Sequence, residues 1–149
     1  MTPIRLAVEG DIPQLCGLLA ELFAQEAEFS PDAAAQARGL RAIIASPDSG
    51  SIFVAGEPGC VIGMVSLLYL TSTALGSRVA LLEDMVVAAG HRGTGHGDRL
   101  LNAAIDHARA TGCRRITLLT DGENADAQRF YTRHGFVRSS MLPMRLSLD

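Results

Sequence analysis

Apolar residues recur every three to four positions in four segments of the chain, and this spacing places them on one face of an α-helix. The predicted helices cover residues 11–23, 31–46, 95–111 and 124–134. Asp11 and Gln14 can form a capping box at the start of the first helix. Ser30-Pro31 is a start signal for the second helix, and Asn124 can cap the fourth.

Strand-like patterns occupy most of the remaining chain. They are runs of alternating or β-branched apolar residues at positions 4–8, 52–55, 60–70, 78–88, 116–120, 136–137 and 141–148. Short turns separate the second, third and fourth runs, which predicts an antiparallel meander. The resulting order βααβββαβαββ predicts a mixed α/β fold in which helices pack around one sheet.

The length and composition favour a single domain. The chain has 149 residues, of which 48% are hydrophobic and 19% are charged, close to the averages for globular proteins. No apolar run approaches the roughly 20 residues that span a bilayer, and the N-terminus lacks the regions of a signal peptide. We therefore expect one cytoplasmic domain over residues 1–149, with no membrane partner.

The distribution of charge argues against a nucleic-acid partner. All 13 basic residues are arginines, and the formal net charge is −3, so the chain would gain little from binding nucleic-acid phosphates. Residues 1–70 hold eight acids and three arginines, whereas residues 71–149 hold eight acids and ten arginines. An anionic ligand should therefore prefer the second part of the chain, and a cationic ligand the first.

The cysteines and histidines form no pattern that is typical of a metal site. The three cysteines are widely spaced, and the four histidines have no recognisable ligand spacing. We expect reduced thiols and no bound metal.

A glycine-rich segment lies between the predicted fourth strand and third helix. It consists of Arg92, Gly93, Thr94, Gly95, His96 and Gly97. Backbone N–H groups at a helix start have no intrahelical partner, and glycines let an anion approach them closely. The segment therefore predicts an anion site, although a tight turn without a ligand has the same pattern. A Walker loop requires a lysine, which the chain lacks, and a dinucleotide fold would place its glycines after an early parallel strand.

Two motifs resemble those of the GCN5-related N-acetyltransferase (GNAT) family. The first is similar to the family's pyrophosphate-binding motif and reads Arg92-x-x-Gly95-x-Gly97. The second is similar to a later family signature and reads Asn124-x-x-Ala127-x-x-Phe130-Tyr131-x-x-x-Gly135-Phe136. The resemblance implies the acyl-CoA N-acyltransferase fold, with a central, mostly antiparallel sheet and helices on both faces. It also implies acetyl-CoA as cosubstrate and an amine as acceptor.

The same resemblance implies which residues contact the cosubstrate. The strand before the glycine-rich segment is expected to separate from its neighbour beyond a β-bulge, which frees main-chain groups for the pantetheine arm and the thioester oxygen. These groups belong to Met85, Val86 and Val87. The pyrophosphate is expected at residues 92–97, and Asn124 serves either as a further contact or only as a helix cap.

Acetyl transfer needs a neutral amine and a proton for the departing thiolate. Tyr131 matches the family tyrosine beside the sulfur and is the candidate acid, with a core tyrosine as the alternative. Glu83 resembles the base of polyamine-type members, in the run Glu-Asp-x-x-Val. Because neighbours on a strand point to opposite faces, only one of Glu83 and Asp84 should point into the cleft. We predict Glu83 as base, directly or through water, and Asp84 as a residue that binds or orients the substrate; a structural salt-bridged pair is the alternative.

The acceptor is the least specified part of the prediction. The family places the first two helices and their connection beside the acceptor, and acids there would attract an amine. This segment contains Glu26, Glu28, Phe29 and Asp32. A solvated helix end would explain the same acids. A small-molecule amine is the predicted acceptor; a protein or peptide acceptor and a non-catalytic acyl-CoA-binding module are the alternatives, and the many dimers of the family favour a homodimer.

Overall fold

A computed structural model describes residues 1–25 and 32–149 of the protein. These residues form two compact units, Met1–Leu119 and Thr120–Asp149. The larger unit contains a β-sheet and three α-helices, and the smaller unit contains one α-helix.

Five strands of the larger unit form one mixed sheet in the order β1-β2-β3-β4-β5. The strands are β1 (Ile4–Leu6), β2 (Gly50–Ala55), β3 (Gly63–Ser72), β4 (Ser77–Val87) and β5 (Ile116–Leu118). The first four are antiparallel to their neighbours, whereas β5 is parallel to β4 because a helix carries the chain back between them. The turns before β3 and β4 contain Gly59 and Gly76, whose φ angles of 86° and 60° favour glycine. The predicted meander is therefore confirmed.

Within the described residues, four α-helices occupy the predicted segments. They are α1 (Ile12–Ala24), α2 (Ala33–Ile44), α3 (His96–Ala110) and α4 (Ala125–Arg133). Asp32 caps α2, because its carboxylate accepts a hydrogen bond of 3.1 Å from the N–H of Ala35. Asn124 caps α4 in the same way, through a 3.1 Å bond from the N–H of Ala127.

Asp11 does not cap α1, contrary to the prediction. Its carboxylate forms a bidentate pair with the guanidinium of Arg5, with N–O distances of 2.8 and 3.0 Å, and accepts the N–H of Val8 at 2.8 Å. Gln14 does not complete a capping box either, since its amide bonds to the turn between β2 and β3. Two charge-assisted bonds from an arginine are stronger than one cap bond. This pair ties β1 to the start of α1.

Helices pack on both faces of the sheet, as predicted. On one face, Ile52 and Val54 of β2 pack with leucines of α1 and α2. The intervening Phe53 points to the other face, where its ring centroid lies 5.2 Å from that of His107 in α3. The largest fully buried side chains of α3 are Leu100 and Leu101. Burial of each such leucine stabilises the fold by about 1.5–3 kcal/mol. Helices packed on both faces of the sheet therefore fix the positions of the strands.

The smaller unit contains α4 and the segment that follows it. Gly135 ends α4 with a φ of 94°, as predicted. The strands predicted at residues 136–137 and 141–148 are not formed. This unit, described by itself, has no helix or strand after Arg133. A strand needs a neighbouring strand to bond its main-chain groups, and this unit contains none. The predicted order is therefore correct as far as α4, and the fold class is confirmed. Across residues 1–25 and 32–149, every helix is too short or too polar to cross a membrane.

Candidate active site

The register between β3 and β4 shifts at one point. Leu67 pairs with Leu82 and Val65 pairs with Met85, so Ser66 of β3 lies opposite two residues of β4, Glu83 and Asp84. This arrangement is a β-bulge, which bends the strand and increases its twist. The predicted bulge is therefore present, and it coincides with the only two acidic residues of β4.

Ser66 holds the extra residue of the bulge in place. The main-chain N–H of Asp84 donates to Ser66 Oγ at 3.1 Å, and Ser66 Oγ lies 3.4 Å from a carboxylate oxygen of Asp84. Ser66 is only 1% exposed, so this contact is shielded from water. The prediction that Glu83 and Asp84 point to opposite faces relied on regular strand alternation. This alternation is interrupted here, because the bulge places both residues opposite one residue of β3. Glu83 is exposed and Asp84 is half-buried.

Among residues 1–25 and 32–149, no strand pairs with one edge of β4 beyond the bulge, and we call this the open edge. Strand β5 pairs only with residues 80–82 of β4, and Ala80 donates its N–H to Arg115 on that side. On the opposite side, Ala88 donates its N–H to Ile62, next to β3. Because main-chain groups alternate along a strand, Met85 and Val87 direct their N–H groups towards the open edge. Val86, which was predicted with them, instead directs its main chain towards β3.

The glycine-rich segment connects this edge to α3. Gly93 and Gly95 have φ angles of 79° and 88°, a region that residues with a Cβ rarely adopt. Thr94 Oγ1 donates to the carbonyl of His91 at 2.8 Å and tightens the turn. The first helical bond of α3 runs from the N–H of Arg99 to Gly95 at 3.1 Å. The glycine has no side chain to cap the N–H groups of residues 96–98, so this helix start can bind an anion.

The side chain of Arg92 adds a positive charge to the anion site. Arg92 donates through Nε to the carbonyl of Val87 at 2.9 Å, which holds its guanidinium at the end of β4. His96 has a buried Nδ1 without a hydrogen-bond partner among residues 1–25 and 32–149. A full positive charge and the helix dipole of about half a charge therefore lie within a few residues of each other.

The smaller unit contains the second predicted group of site residues. Tyr131 is half-buried, and its ring centroid lies 5.2 Å from that of Phe130 and 5.7 Å from that of Phe136. The N–H of Phe136 donates to the carbonyl of Tyr131 at 3.1 Å, just after the turn at Gly135. The spacing of the second motif thus produces an aromatic cluster that fixes the Tyr131 ring. Asn124 is a helix cap, and any cosubstrate contact of this residue stays a prediction.

Three predicted acceptor residues, Glu26, Glu28 and Phe29, lie outside the described residues, as does the start signal Ser30-Pro31. Asp32 has the helix-capping role that was the competing explanation for its position. In the described part of the chain, no group of three or more His, Cys, Asp or Glu side chains could hold a metal ion.

Sequence reasoning missed Ser66 as a site residue. Its signal was a single small polar residue within an apolar strand, between Val65 and Leu67. Such a residue is compatible with many buried environments, and only the register of β4 shows which main-chain group it binds.

Comparisons with known proteins indicate similarity to acetyltransferases. The model of the acetyltransferase (GNAT) family matches residues 15–136. The uncharacterized N-acetyltransferase YhfO of Bacillus subtilis (strain 168) is 33% identical over 121 residues, which cover 79% of this chain and 80% of that protein. Glucosamine 6-phosphate N-acetyltransferase 1 of Oryza sativa subsp. japonica is 36% identical over 64 residues, 43% of this chain and 37% of that one. The solved structure of an aminoglycoside N-acetyltransferase in complex with CoA has a TM-score of 0.81 over 99% of this chain and 95% of its own, and at 20% identity this likeness concerns the fold alone.

Proposed function

This chain belongs to the acetyltransferase (GNAT) family and is an acyltransferase, and we propose that it transfers the acetyl group of acetyl-CoA to a primary amine of a small molecule. The observation that carries the proposal is the edge of β4 that β5 leaves open after Leu82. This edge leads directly into a glycine turn and an uncapped helix start. A ligand with an amide-containing arm and a pyrophosphate has both of the groups that these features bind.

The main chain of β4 would bind the pantetheine arm. The N–H groups of Met85 and Val87 are directed to the open edge, where the amide carbonyls of pantetheine can accept them as a neighbouring strand would. One of these N–H groups would stabilise the oxyanion that forms when the amine attacks the thioester. Their rigidity follows from the bulge and from the β3 pairing of Val86.

The glycine-rich turn would bind the pyrophosphate. The residues that we assign to it are Arg92, Gly93, Thr94, Gly95, His96 and Gly97. Glycine at positions 93 and 95 is required by the backbone, and the N–H groups at the start of α3 are the donors that a phosphate prefers. Arg92 would then either break its bond to the Val87 carbonyl and bind the phosphate, or bind both groups through different nitrogens.

Glu83 is the proposed base and Tyr131 the proposed acid. The amine loses a proton to Glu83, directly or through water, as its nitrogen attacks the acetyl carbonyl. The tetrahedral intermediate then collapses, and the thiolate of CoA receives a proton from the Tyr131 hydroxyl. Asp84, held by Ser66, is proposed to orient the acceptor by its charge.

A small-molecule acceptor is supported by the similarity to a glucosamine 6-phosphate N-acetyltransferase. A protein or peptide acceptor and a non-catalytic acyl-CoA-binding module are the competing functions.

Two measurements distinguish these functions. Thermal unfolding with and without CoA tests binding, and we expect the midpoint to rise with the logarithm of CoA concentration. Arg92→Gln should require about tenfold more CoA for the same rise, whereas Arg38→Gln, an exposed arginine of α2, should not. Thiol release from acetyl-CoA is then compared for a diamine, an amino sugar, an amino acid and a peptide with a free N-terminus. Faster release with the peptide would favour a protein acceptor, and CoA binding without release would favour the module.

A further inference from the structure

A cavity lies in the larger unit, at the end of the sheet away from the open edge of β4. It has a volume of about 310 Å³ and is formed where β2 and β4 begin, between the C-terminal ends of α2 and α3. Its polar lining includes Ser51, Tyr69, Arg78 and His107, and its apolar lining includes Ile43 and Ile44. This volume lies at the lower end of the range of small-molecule sites.

Three of these side chains form a hydrogen-bonded chain. Ser51 Oγ lies 2.6 Å from the hydroxyl of Tyr69 and 3.3 Å from Nε2 of His107. Ser51 is 8% exposed, so the chain is largely shielded from water. Because a hydroxyl can donate one proton and accept two, the Tyr69 hydroxyl can accept the proton of Ser51 and still donate its own proton to a ligand.

Arg78 supplies a positive charge to the cavity. Its guanidinium carbon lies 3.8 Å from the centroid of the Tyr69 ring, and Nη2 donates to the carbonyl of Asp48 at 2.9 Å. These contacts fix the plane of the guanidinium and occupy one of its nitrogens. Among residues 1–25 and 32–149, no carboxylate forms an ion pair with Arg78. A half-buried arginine held in this way has donors left for a carboxylate.

The cavity is separate from the proposed acetyl-CoA site. Tyr69 pairs with Ala80, near the start of β4, whereas the open edge begins at Met85. Five residues of strand correspond to about 15 Å. No step of acetyl transfer uses Ser51, Tyr69, Arg78 or His107, so a role for this cavity does not depend on the proposed function.

We infer that the cavity binds a small organic carboxylate with a short aliphatic chain. Arg78 would bind the carboxylate, with the Tyr69 hydroxyl as a further donor, and the aliphatic chain would lie against Ile43 and Ile44. Asp48 also lines the cavity, and its negative charge would attract an ammonium group on the same ligand. The expected ligands are therefore simple carboxylates and α-amino acids with aliphatic side chains, which share the carboxylate and the aliphatic chain.

Tyrosine fluorescence gives a direct readout of this cavity. The chain has no tryptophan and two tyrosines, so Tyr131→Phe leaves Tyr69 as the single emitter. In that background, sodium isovalerate and L-leucine are titrated separately, with isovaleramide as a neutral analogue of the same shape. We expect a saturable change in Tyr69 emission with one or both carboxylates, and none with the amide.

Substitutions separate the cavity from a general charge effect. Adding Arg78→Gln should weaken the titration about 10- to 100-fold, since it removes a charged hydrogen bond to the ligand. Adding Arg38→Gln changes the net charge equally, at an exposed site outside the cavity, and should leave the titration unchanged. If neither carboxylate gives saturation, if the amide binds equally, or if both arginine variants behave alike, the inference is wrong.

Discussion

The main-chain N–H of Asp84 donates a hydrogen bond of 3.1 Å to the side chain of Ser66. The bond crosses from β4 to β3 at the position where the register shifts. Met85 and Val87, which follow the bulge, direct their N–H groups towards the edge that β5 leaves open, so a side chain of one strand helps to position the main chain of its neighbour.

Ser66→Ala tests this control. The variant leaves the N–H of Asp84 without its acceptor in a site that is shielded from water. The free energy of unfolding, measured in urea, should therefore fall by about 1–3 kcal/mol. The kcat of acetyl transfer should also fall, because the N–H groups beyond the bulge lose their alignment.

The matched control is Ser72→Ala, in the same strand. Ser72 is also buried, and its hydroxyl accepts the N–H of Leu75 at 3.1 Å. This variant should be destabilised to a similar degree and keep its kcat. A Ser66→Ala enzyme with normal kcat would show that the bulge does not position the reacting groups.

Gly95→Ala tests the proposed pyrophosphate site. A Cβ at this position meets no other atom within 4 Å, but the φ of 88° is unfavourable for alanine. The turn should shift to relieve a strain of about 1–2 kcal/mol, and the KM for acetyl-CoA should rise about tenfold. Steady-state kinetics with varied acetyl-CoA provide the measurement.

Gly112→Ala is the control at the opposite end of α3. Gly112 has a φ of 91° and the same open surroundings, so the backbone strain is matched. The stability loss should be similar in both variants, with a normal KM for Gly112→Ala. Equal KM values in the two variants would place the pyrophosphate elsewhere.

Much of this arrangement follows from sequence patterns, and the exceptions have physical causes. The helical period predicted α1 and α3, and glycines at positive φ marked the turns. The side chain of Asp11 was misassigned because local cap rules ignore a partner from another element, here Arg5. The final strands were wrong because alternation alone supplies no neighbour for main-chain bonds. The exact residues of a bulge depend on pairing between two strands, which the sequence of one strand does not contain.

The pair of Arg5 and Asp11 predicts a pH dependence of stability. The hydrogen bond from Arg5 lowers the pKa of Asp11 below its ordinary value of 3.8. The pair therefore stabilises the fold fully above this value, and the contribution is lost as the pH falls towards the lowered pKa of the folded state. Urea unfolding between pH 7 and pH 2 should show this decline.

Arg5→Met should cost about 3 kcal/mol at neutral pH, because it leaves a buried carboxylate without its cation. Its stability should also decline less on acidification. Arg41→Met breaks an exposed pair with Glu9 of 3.5 Å and should cost less than about 1 kcal/mol. Equal losses of stability in the two variants would show that burial does not strengthen the pair of Arg5 and Asp11.

Glu83→Gln tests the proposed base. The amide keeps the shape of the side chain and cannot accept a proton, so kcat should fall about 100-fold while the affinity for CoA is unchanged. Glu57→Gln, at an exposed turn, should have normal kinetics. If Glu83→Gln loses cosubstrate affinity and turnover equally, Glu83 is not the base.

Tyr131→Phe tests the proposed acid. The substitution keeps the ring that packs against Phe130 and Phe136 and removes only the hydroxyl. We expect kcat to fall about 10- to 100-fold. Tyr69→Phe makes the same chemical change at the only other tyrosine and should keep the kcat; equal effects would exclude a specific role for Tyr131.

The most direct measurement counts both products of one reaction. Purified protein is incubated with acetyl-CoA and the best amine of the panel, and the free thiol and the acetylated amine are quantified in the same samples. Our account predicts that each mole of thiol appears with one mole of N-acetylated amine, at rates that fall together in Glu83→Gln. Thiol release without an acetylated amine, or no release with any amine despite CoA binding, would contradict it.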